Sequence, residues 1–308
     1  MSNNAIIKSW TFEPSSPNAT VRLLRARSAF KGWAAPPPWK EIQPFTRAQR
    51  WNVFFAFCPD GRLTAQHRDS LSRIGRLTGQ TGLVVASPSI NDINESSLPS
   101  VDAIYWKGLS GFDFSAYALA LRALIRLSPG CDLYLQNDSV LGPLENLESL
   151  IPSMEWRLSG FLASSAIENH LQSYALFFKD LQSDLLRDLY PALSISRSLD
   201  NWRDVVLLQE TKLARVASRR HAVGSLWFDP SAKRADNTLS RTLLERIPRY
   251  RTSSVTTYDP SLVRAAEMLA DGFPFAKRSL FSRNRSLIDA SHLVELLCNR
   301  GMAPELLE

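Results

Sequence analysis

The segment Asn137-Asp138-Ser139 carries the residue types of a cation or diphosphate site. It follows an apolar run and precedes Leu141-Gly142-Pro143, which forces the chain to turn. A carboxylate placed there can hold a divalent cation that bridges two phosphates, because Mg²⁺ takes one or two protein carboxylates together with substrate oxygens. The alternative is an Asx-turn, in which Asp138 caps the backbone that follows it.

A second segment, around Gly111 and Asp113, has the composition of a phosphate-binding helix start. Free N–H groups in the first turn of a helix attract anions, and Lys107 just upstream adds positive charge. In the competing interpretation Asp113 is an ordinary N-cap, and the aromatic residues beside it pack in the core.

Polar residues just before a strongly apolar run can serve an acceptor hydroxyl. His170 or Glu168 can accept its proton, and Gln172 and Ser173 can hydrogen-bond a sugar. A structural histidine is the alternative.

Glu210 lies on the same helical stripe as Val206 and Leu213. It therefore faces inward and needs a partner, or it lies at the edge of the helix in water.

Lys277 belongs to residues 272–278, where a rigid aromatic turn meets positive charge. A diphosphate or an anionic membrane surface is the natural counterpart of such a run. The alternative is a solvated basic face, which Arg283 and Arg285 downstream favour.

Short apolar runs alternate with amphipathic segments through much of the chain. The predicted strands cover residues 51–57, 83–86, 103–106, 132–136, 156–161 and 174–178, and later helices cover 183–188, 202–217, 261–270 and 289–299. This alternation predicts an α/β fold in which helices cover both faces of a parallel-type sheet. Ligands bind such sheets at the carboxyl ends of the strands, where Asp60, Lys107 and Asp138 fall.

The composition fits a globular protein. With 308 residues, 44% hydrophobic and 21% charged, the chain is excluded from the disordered and fibrous classes. Three consecutive prolines at positions 36–38 predict that residues 1–45 form an N-terminal extension outside the sheet. A compact body is expected to begin at residue 46.

The charge balance bears on partners and location. A formal net charge of +6 favours anionic partners, but Lys and Arg are spread along the chain without a nucleic-acid motif, so no nucleic acid is expected. Three cysteines without a CxxC pair fit a reducing cytoplasm. No apolar stretch is long enough to span a bilayer, and we therefore expect a cytoplasmic protein that is soluble or peripheral.

Six segments occur in an order that resembles the rhamnan-synthesis protein F family of bacterial polysaccharide glycosyltransferases. They are FAFCPDG, GFDFSAY, YLQNDSVLGPL, HLQSYALFF, the helix that carries Glu210, and GFPFAKRSL. The similarity runs over about residues 51–281, and the combination of NDSxxGPL with HLQSY is its most specific part.

The resemblance implies a GT-A-like, Rossmann-like nucleotide-sugar fold with a mixed sheet flanked by helices and a helical C-terminal part. It divides residues 46–308 into a nucleotide-sugar half, to about residue 155, and an acceptor half. It places NDS where other GT-A enzymes carry the metal-binding DxD, so Mg²⁺ or Mn²⁺ is the expected cofactor. It also implies transfer of a deoxyhexose, first of all rhamnose from dTDP-rhamnose, to a lipid-linked glycan such as the O-antigen of lipopolysaccharide at the inner membrane face.

The resemblance also assigns site residues. Motif positions are held by Asp113, Asn137, Asp138, His170, Gln172, Ser173 and Lys277. For a direct displacement we expect Asp138 to face the metal or the diphosphate, Lys107 and Lys277 to add phosphate charge, and His170 or Glu168 to serve the acceptor. The expected substrate-binding set is completed by Asp60, Gly111, Ser139 and Glu210.

Four positions depart from the family pattern. Ala56 replaces a His, Pro88 and Leu109 each replace an Asn, and Ser115 replaces a Gly. These positions fall on the presumed donor pocket. They support the alternative of a glycosyltransferase-like subunit that has lost catalysis and acts as a binding or assembly partner in polysaccharide biosynthesis.

Overall fold

The computed structural model describes residues 5–93, 98–230, 259–287 and 290–307. Within these ranges the chain forms a ten-stranded mixed sheet and a short two-stranded sheet. In chain order the strands of the large sheet are β1 (Ile7–Thr11), β2 (Trp39–Gln43), β3 (Arg50–Phe57), β4 (Gln80–Ala86), β5 (Ala103–Lys107), β6 (Asp132–Asn137), β8 (Leu158–Ser164), β9 (His170–Leu171), β10 (Ala175–Phe178) and β11 (Val223–Asp229). The short sheet pairs β7 (Val140–Leu141) with β12 (Ala276–Lys277).

Helices lie between the strands and after them. The α-helices are α1 (Ala19–Phe30), α2 (Ala65–Ile74), α3 (Phe112–Leu127), α4 (Leu147–Leu150), α5 (Ser183–Leu189), α6 (Trp202–Val205), α7 (Thr211–Ala217), α8 (Pro260–Val263), α9 (Ala265–Ala270) and α10 (Ala290–Cys298). A π-helical segment, Val206–Glu210, joins α6 to α7. Short 3₁₀ turns cover Ile90–Asp92, Ile151–Ser153, Arg278–Phe281, Arg285–Leu287 and Pro304–Leu306.

The order of the strands creates a topological switch point in the middle of the large sheet. The order is β1-β11-β8-β10-β6-β3-β4-β5-β2, with β9 paired to β8. Strands β6, β3, β4 and β5 run parallel. The chain moves outward from β3 to β5 and then returns through α3 to β6 on the other side of β3. This reversal makes the carboxyl ends of β3 and β6 a topological switch point, where α/β sheets bind ligands.

The sheet is covered on both faces because its central strands are apolar on both sides. In β3, Trp51, Val53 and Phe55 belong to one buried cluster with α3, α5 and α7. Phe54 and Ala56 point the other way and pack with residues of α2 and α9. This two-sided burial confirms the predicted α/β class, a mixed sheet flanked by helices.

The six predicted strands are all present, with ends that differ by a few residues. Strand β11 was missed because Gly224 and Ser225 interrupt its apolar run. A Cβ at Gly224 would lie only 2.1 Å from the ring of Trp156, so the close approach of that ring requires glycine there. The predicted start of the last helix, at residue 289, lies outside the described residues.

The expectation that residues 1–45 lie outside the sheet is wrong. Strand β1 pairs antiparallel with β11, and β2 pairs antiparallel with β5, so this segment supplies both edge strands. The prolines at 36–38 interrupt pairing only locally, before β2 begins. An edge strand needs partners on one side alone, which a chain flanked by prolines can provide.

None of the helices in the described part of the chain is both long enough and apolar enough to cross a membrane.

We predict that the N-terminal edge strand is needed for stability. Trp10 on β1 is 9% exposed and stacks on Phe228 with ring centroids 3.9 Å apart. Trp10→Ala should lower the free energy of unfolding by about 3 kcal/mol, because it leaves a cavity against β11. Trp39→Ala on β2 is the matched control, since Trp39 is 47% exposed and should lose less than about 1 kcal/mol. Equal losses in urea denaturation would contradict this assignment.

Candidate functional site

Asp138 joins the ends of β3 and β6 at the switch point. The last paired residues of the two strands are Phe55 and Asn137. Beyond them, Asp138 Oδ2 accepts a hydrogen bond of 2.9 Å from the backbone N–H of Phe57. The carboxylate thus stands where the next carbonyl of β6 would be, and its position is fixed by the sheet itself.

The Asx-turn considered for Asp138 is made by its neighbour. Asn137 Oδ1 accepts hydrogen bonds from the backbone N–H and the hydroxyl of Ser139, at 3.0 and 2.6 Å. Asn137 therefore shapes the turn, and the Asp138 side chain reaches across to β3.

His67 on α2 is a second partner of Asp138. The ring Nδ1 accepts the backbone N–H of Thr64 at 3.2 Å, so the proton of the neutral ring is on Nε2 and is donated to Asp138 Oδ2 at 3.0 Å. Sequence reasoning missed His67. Its one signal is the spacing of Thr64 and His67, which form a capping box at the start of α2.

Arg278 brings positive charge to the same point. The pairing of β12 with β7 places its backbone N–H 3.0 Å from the carbonyl of Ser139. Its Nη1 donates to the carbonyl of Asp138 at 3.1 Å and lies 3.8 Å from Asp138 Oδ2. The basic run was recognised from the sequence, but Lys277 was chosen from it and Arg278 was not.

Cys58 completes a Cys-His-Asp arrangement without the chemistry of a nucleophile. Its Sγ lies 3.8 Å from His67 Nδ1. Burial, then the negative charges of Asp138 and Asp60, raise the pKa of this thiol to about 12. A thiol that stays protonated and buried is not a reactive cysteine.

A second polar cluster forms at the start of α3. Gly111 has a φ of +81°, and its N–H donates to Asp200 Oδ1 at 2.6 Å. A Cβ at this position would lie 2.7 Å from the side chain of Ser115, so the turn requires glycine. The turn brings Asp113 Oδ2 within 2.8 Å of the Asn137 side-chain amide, which donates to it.

The Asp113 carboxyl has an unusual affinity for protons. Loss of water around it, then the negative charge of Glu210, raise its pKa to about 6. The hydrogen bond from Asn137 acts in the opposite direction. A carboxyl with this pKa can take up a proton near neutral pH.

Glu210 has the inward partner that its helical stripe predicts. Its Oε1 accepts the backbone N–H of Ser173 at 3.1 Å and the Ser173 hydroxyl at 3.0 Å. The Ser173 carbonyl in turn accepts the Tyr117 hydroxyl at 2.9 Å. Glu210 ends the π-helical segment, a feature that occurs often at functional sites and that the sequence did not reveal.

Lys107 ends β5 beside this cluster. Its Nζ donates to the carbonyl of Ser110 at 2.9 Å. Burial lowers the pKa of Lys107 to about 8, although the carboxylates of Asp113 and Asp200 act in the opposite direction. The ammonium is therefore easier to deprotonate than that of an ordinary lysine.

Of the residues predicted for the acceptor side, Glu168 forms buried ion pairs with two arginines, and His170 is hydrogen-bonded to its backbone. The Glu168 side chain is 0% exposed, and its oxygens contact Arg25 and Arg215. His170 is buried in β9, and its Nδ1–H donates to the carbonyl of Glu168 at 2.7 Å. Both oxygens of Glu168 thus face guanidinium groups.

The other predicted residues are placed as follows. Asp60 is exposed and accepts the backbone N–H of Arg62 at 3.1 Å. The Lys277 ammonium lies 3.8 Å from Asp259 Oδ2 and 4.6 Å from the centre of the Tyr174 ring. Gln172 is buried beside Ser173. Hydrogen bonds and charge coupling connect Lys107, Gly111, Asp113, Asn137, Ser139, Ser173 and Glu210 into one polar cluster, and Asp138 follows Asn137 directly in the chain.

The carboxylates of the site do not form a metal cage by themselves. Among the described residues there is no group of three His, Cys, Asp or Glu side chains arranged to hold a metal ion. The Oδ2 atom of Asp138 makes all of its contacts with other residues of the protein. Its Oδ1 atom accepts no hydrogen bond from any described residue. One open carboxylate oxygen fits a cation that binds together with phosphate oxygens.

Comparisons with known proteins give a likeness in structure only. No protein-family model matches the chain, and no curated protein matches it. A protein from Desulfovibrio desulfuricans G20 that is assigned as a nucleotide-diphospho-sugar transferase matches with a TM-score of 0.34 and 11% identity, over 72% of this chain and 97% of that chain. A mannosyltransferase from Pyrobaculum calidifontis, solved with GDP-Man and Mn²⁺, matches with a TM-score of 0.35 and 13% identity, over 92% of this chain and 84% of that chain.

The fold and these contacts define an α/β protein with a cluster of charged side chains at the switch point of a mixed sheet.

We predict that the two buried cysteines, Cys58 in the site and Cys131 outside it, are inert. Burial raises the pKa of Cys58 to about 12 and that of Cys131 to about 11, whereas Cys298 is only half-buried. Iodoacetamide at about pH 8 should therefore modify Cys298 alone in the folded protein, and all three thiols after denaturation. Rapid native labelling of Cys58, detected by mass spectrometry, would show that it is a reactive thiol.

We further predict that the Asp113 carboxylate lowers the free energy of unfolding near neutral pH. The pKa of this carboxyl rises from an ordinary value of 3.8 to about 6 on folding. Its ionisation therefore lowers the free energy of unfolding as the pH rises above 3.8, and this loss of stability is complete above about pH 6. Asp113→Asn should therefore be more stable than the unmodified protein at about pH 7.5, with a gain that shrinks toward about pH 4.5. Urea denaturation at both values measures this. A variant that is less stable at both would show that the carboxylate is needed for packing.

Proposed function

We propose that the protein is a GT-A-like glycosyltransferase that uses a nucleotide-diphosphate sugar. One observation carries this proposal: the Asp138 carboxylate is fixed across the ends of β3 and β6 with the Arg278 guanidinium 3.8 Å away, at the point where α/β sheets bind nucleotides. A paired anion and cation at that edge suit a ligand that carries a diphosphate.

Arg278 compensates the charge of the leaving group. Negative charge grows on the diphosphate as its bond to the sugar breaks, and a guanidinium already in place stabilises that charge. Arg278 is held by the carbonyl of Asp138 and by the short sheet, so its position does not depend on the ligand. Lys277 on β12 adds a second positive charge nearby.

Asp138 Oδ1 would hold Mg²⁺ or Mn²⁺ together with the diphosphate, and the cation when bound would add further positive charge at the leaving group. The role of Asp138 itself is to fix one carboxylate at the strand ends, with His67 donating to its other oxygen.

Asp113 fits the role of the general base. With a pKa of about 6 it is ionised at neutral pH and still basic enough to take the proton of an acceptor hydroxyl. The deprotonated oxygen attacks the anomeric carbon as the bond from that carbon to the diphosphate oxygen breaks. The proton ends on Asp113, the nucleotide diphosphate leaves, and the configuration at the anomeric carbon inverts.

Asp113 is preferred here to the residues predicted from the sequence. Glu168 faces two guanidinium groups and is fully buried, so it has no oxygen turned toward a substrate. His170 is tied to the backbone of Glu168 and is kept as an acceptor-binding residue. Gln172 and Ser173 are proposed to bind the acceptor beside it.

The finer proposal follows from the sequence resemblance. Rhamnose from dTDP-rhamnose is the first donor to test, and a lipid-linked glycan of the O-antigen type is the first acceptor. The protein would then work in the cytoplasm, at the inner face of the cell membrane.

The second candidate is a subunit that binds a donor or a glycan without transferring sugar. Ala56 is completely buried within β3, and Leu109 packs against the larger core cluster. Neither position therefore offers a polar group to a donor, as the His and Asn of the resembled family would.

Asp138→Asn tests the proposed donor site. The asparagine keeps an oxygen for the Phe57 N–H and for His67, so the variant should fold and melt like the unmodified protein. Loss of the charge should lower sugar transfer by about 100-fold or more. The assay is a screen of nucleotide sugars for transfer and hydrolysis, with and without Mn²⁺. Asp69→Asn is the matched control, because Asp69 pairs with Arg73 on α2 outside the site.

Two results separate the candidates. Transfer at the unmodified rate by Asp138→Asn would overturn the donor site. Saturable binding of a nucleotide sugar in a thermal-shift assay, without transfer or hydrolysis, would instead assign the protein to the binding subunit.

A further inference from the structure

A cavity of about 270 Å³ lies away from the switch point, between α1 and the start of α6. Its lining residues are Leu24, Arg27, Ser28, Lys31, Asn201, Trp202, Arg203 and Asp204. Neither the sequence motifs nor the proposed transfer reaction uses any of them. The volume is just below the range of pockets that hold drug-sized molecules, so the cavity suits a ligand of about one ring.

One wall of the cavity is a single stripe of α1. Leu24, Arg27, Ser28 and Lys31 follow the i, i+3, i+4, i+7 spacing that places residues on one helical face. Leu24 and Ser28 are buried at the base of the stripe, while Arg27 and Lys31 extend to its exposed side.

The cavity carries an excess of positive charge. Three cationic side chains line it against one carboxylate, Asp204. That carboxylate is already used, because Oδ1 accepts the Ser28 hydroxyl at 2.5 Å and Oδ2 lies 3.5 Å from the Lys31 ammonium.

The two guanidinium groups that line the cavity have no ion-pair partner among the described residues. Within the described ranges neither the Arg27 nor the Arg203 guanidinium has a carboxylate or hydrogen-bond partner. Two unpaired guanidinium groups that share a cavity match an anion such as phosphate, which arginine binds through paired N–H groups.

Trp202 gives the cavity an apolar face. Its side chain is 59% exposed although it stands at the first turn of α6, where it has no core to fill. An exposed tryptophan presents a large flat surface at low conformational cost, and beside a cavity it suits a ring that lies against it.

We propose that this cavity is a second ligand site, which binds a phosphorylated monosaccharide. Arg27 and Arg203 hold the phosphate, and Trp202 packs against the sugar ring. The shared chemistry is a phosphate ester on a small ring, which a mononucleotide also carries; the volume favours the single sugar ring. This site does not rest on the proposed transfer reaction and stands or falls independently of it.

Calorimetric titration of the full chain with glucose 6-phosphate tests the proposal. We expect saturable binding with one site per chain that weakens as salt is added, because the contact is between opposite charges. Arg27→Gln and Arg203→Gln should each weaken binding by about tenfold or more, and Trp202→Ala should weaken it as well. Arg76→Gln is the matched control, since Arg76 is exposed and does not line the cavity.

The other ligands decide the assignment. Uncharged glucose should not bind measurably, and inorganic phosphate should bind more weakly than the sugar phosphate and be insensitive to Trp202→Ala. Absence of saturable binding, or equal affinity in the two arginine variants and the control, overturns the site. Tighter binding of uridine monophosphate that is lost in the same variants overturns the sugar and assigns the cavity to a nucleotide.

Removal of the exposed Arg27 and Trp202 side chains should leave the melting temperature of the protein unchanged. Loss of binding in these variants can then be distinguished from unfolding. Donor binding at the switch point provides the independent readout. Arg27→Gln should leave it unchanged, whereas failure of the proposed donor site would appear as absent donor binding in the unmodified protein too.

Discussion

Two parallel strands end at the switch point, and the Asp138 carboxylate completes the ladder between them. Strand β3 still presents the Phe57 N–H on the side where β6 has turned away. The carboxylate gives this backbone donor a partner within the protein, in the place where the next carbonyl of a continued β6 would accept it. The chemistry proposed for Asp138 therefore depends on a position that the fold itself enforces.

The two carboxylates of the site lie in different surroundings. Asp138 accepts a hydrogen bond from the His67 ring and has the guanidinium of Arg278 3.8 Å away. Asp113 is short of water and faces Glu210, which favours its protonated form. Asn137 stands between them, because its amide donates to Asp113 and its backbone leads directly into Asp138. Two carboxylates in such different surroundings can serve different roles in one site.

Much of the central sheet was predictable from the sequence, because apolar runs such as the one in β3 are buried on both sides and leave a strong pattern. The polar residues after these strands were also predictable, because the end of each apolar run marks the end of the strand. Edge strands leave no such pattern. Strand β2, for example, is exposed along most of its length. The interior strand β11 was missed for another reason, because its apolar run is interrupted by a glycine that only the Trp156 ring explains. The partners His67 and Arg278 were missed because they come from α2 and from a distant turn, and only the tertiary fold brings them to Asp138.

The pairing of β1 with β11 has a consequence for how the chain is made. Ile7 lies opposite Phe228, so β1 is synthesised about 220 residues before the strand with which it pairs. Contacts so distant in sequence form late, because the loop between them must close first. The aromatic side chains of Trp10 and Phe12 therefore remain exposed to solvent until β11 has been synthesised. During that interval the nascent chain presents an incomplete sheet edge, which is the state in which a protein of this kind is most open to chaperones and to aggregation.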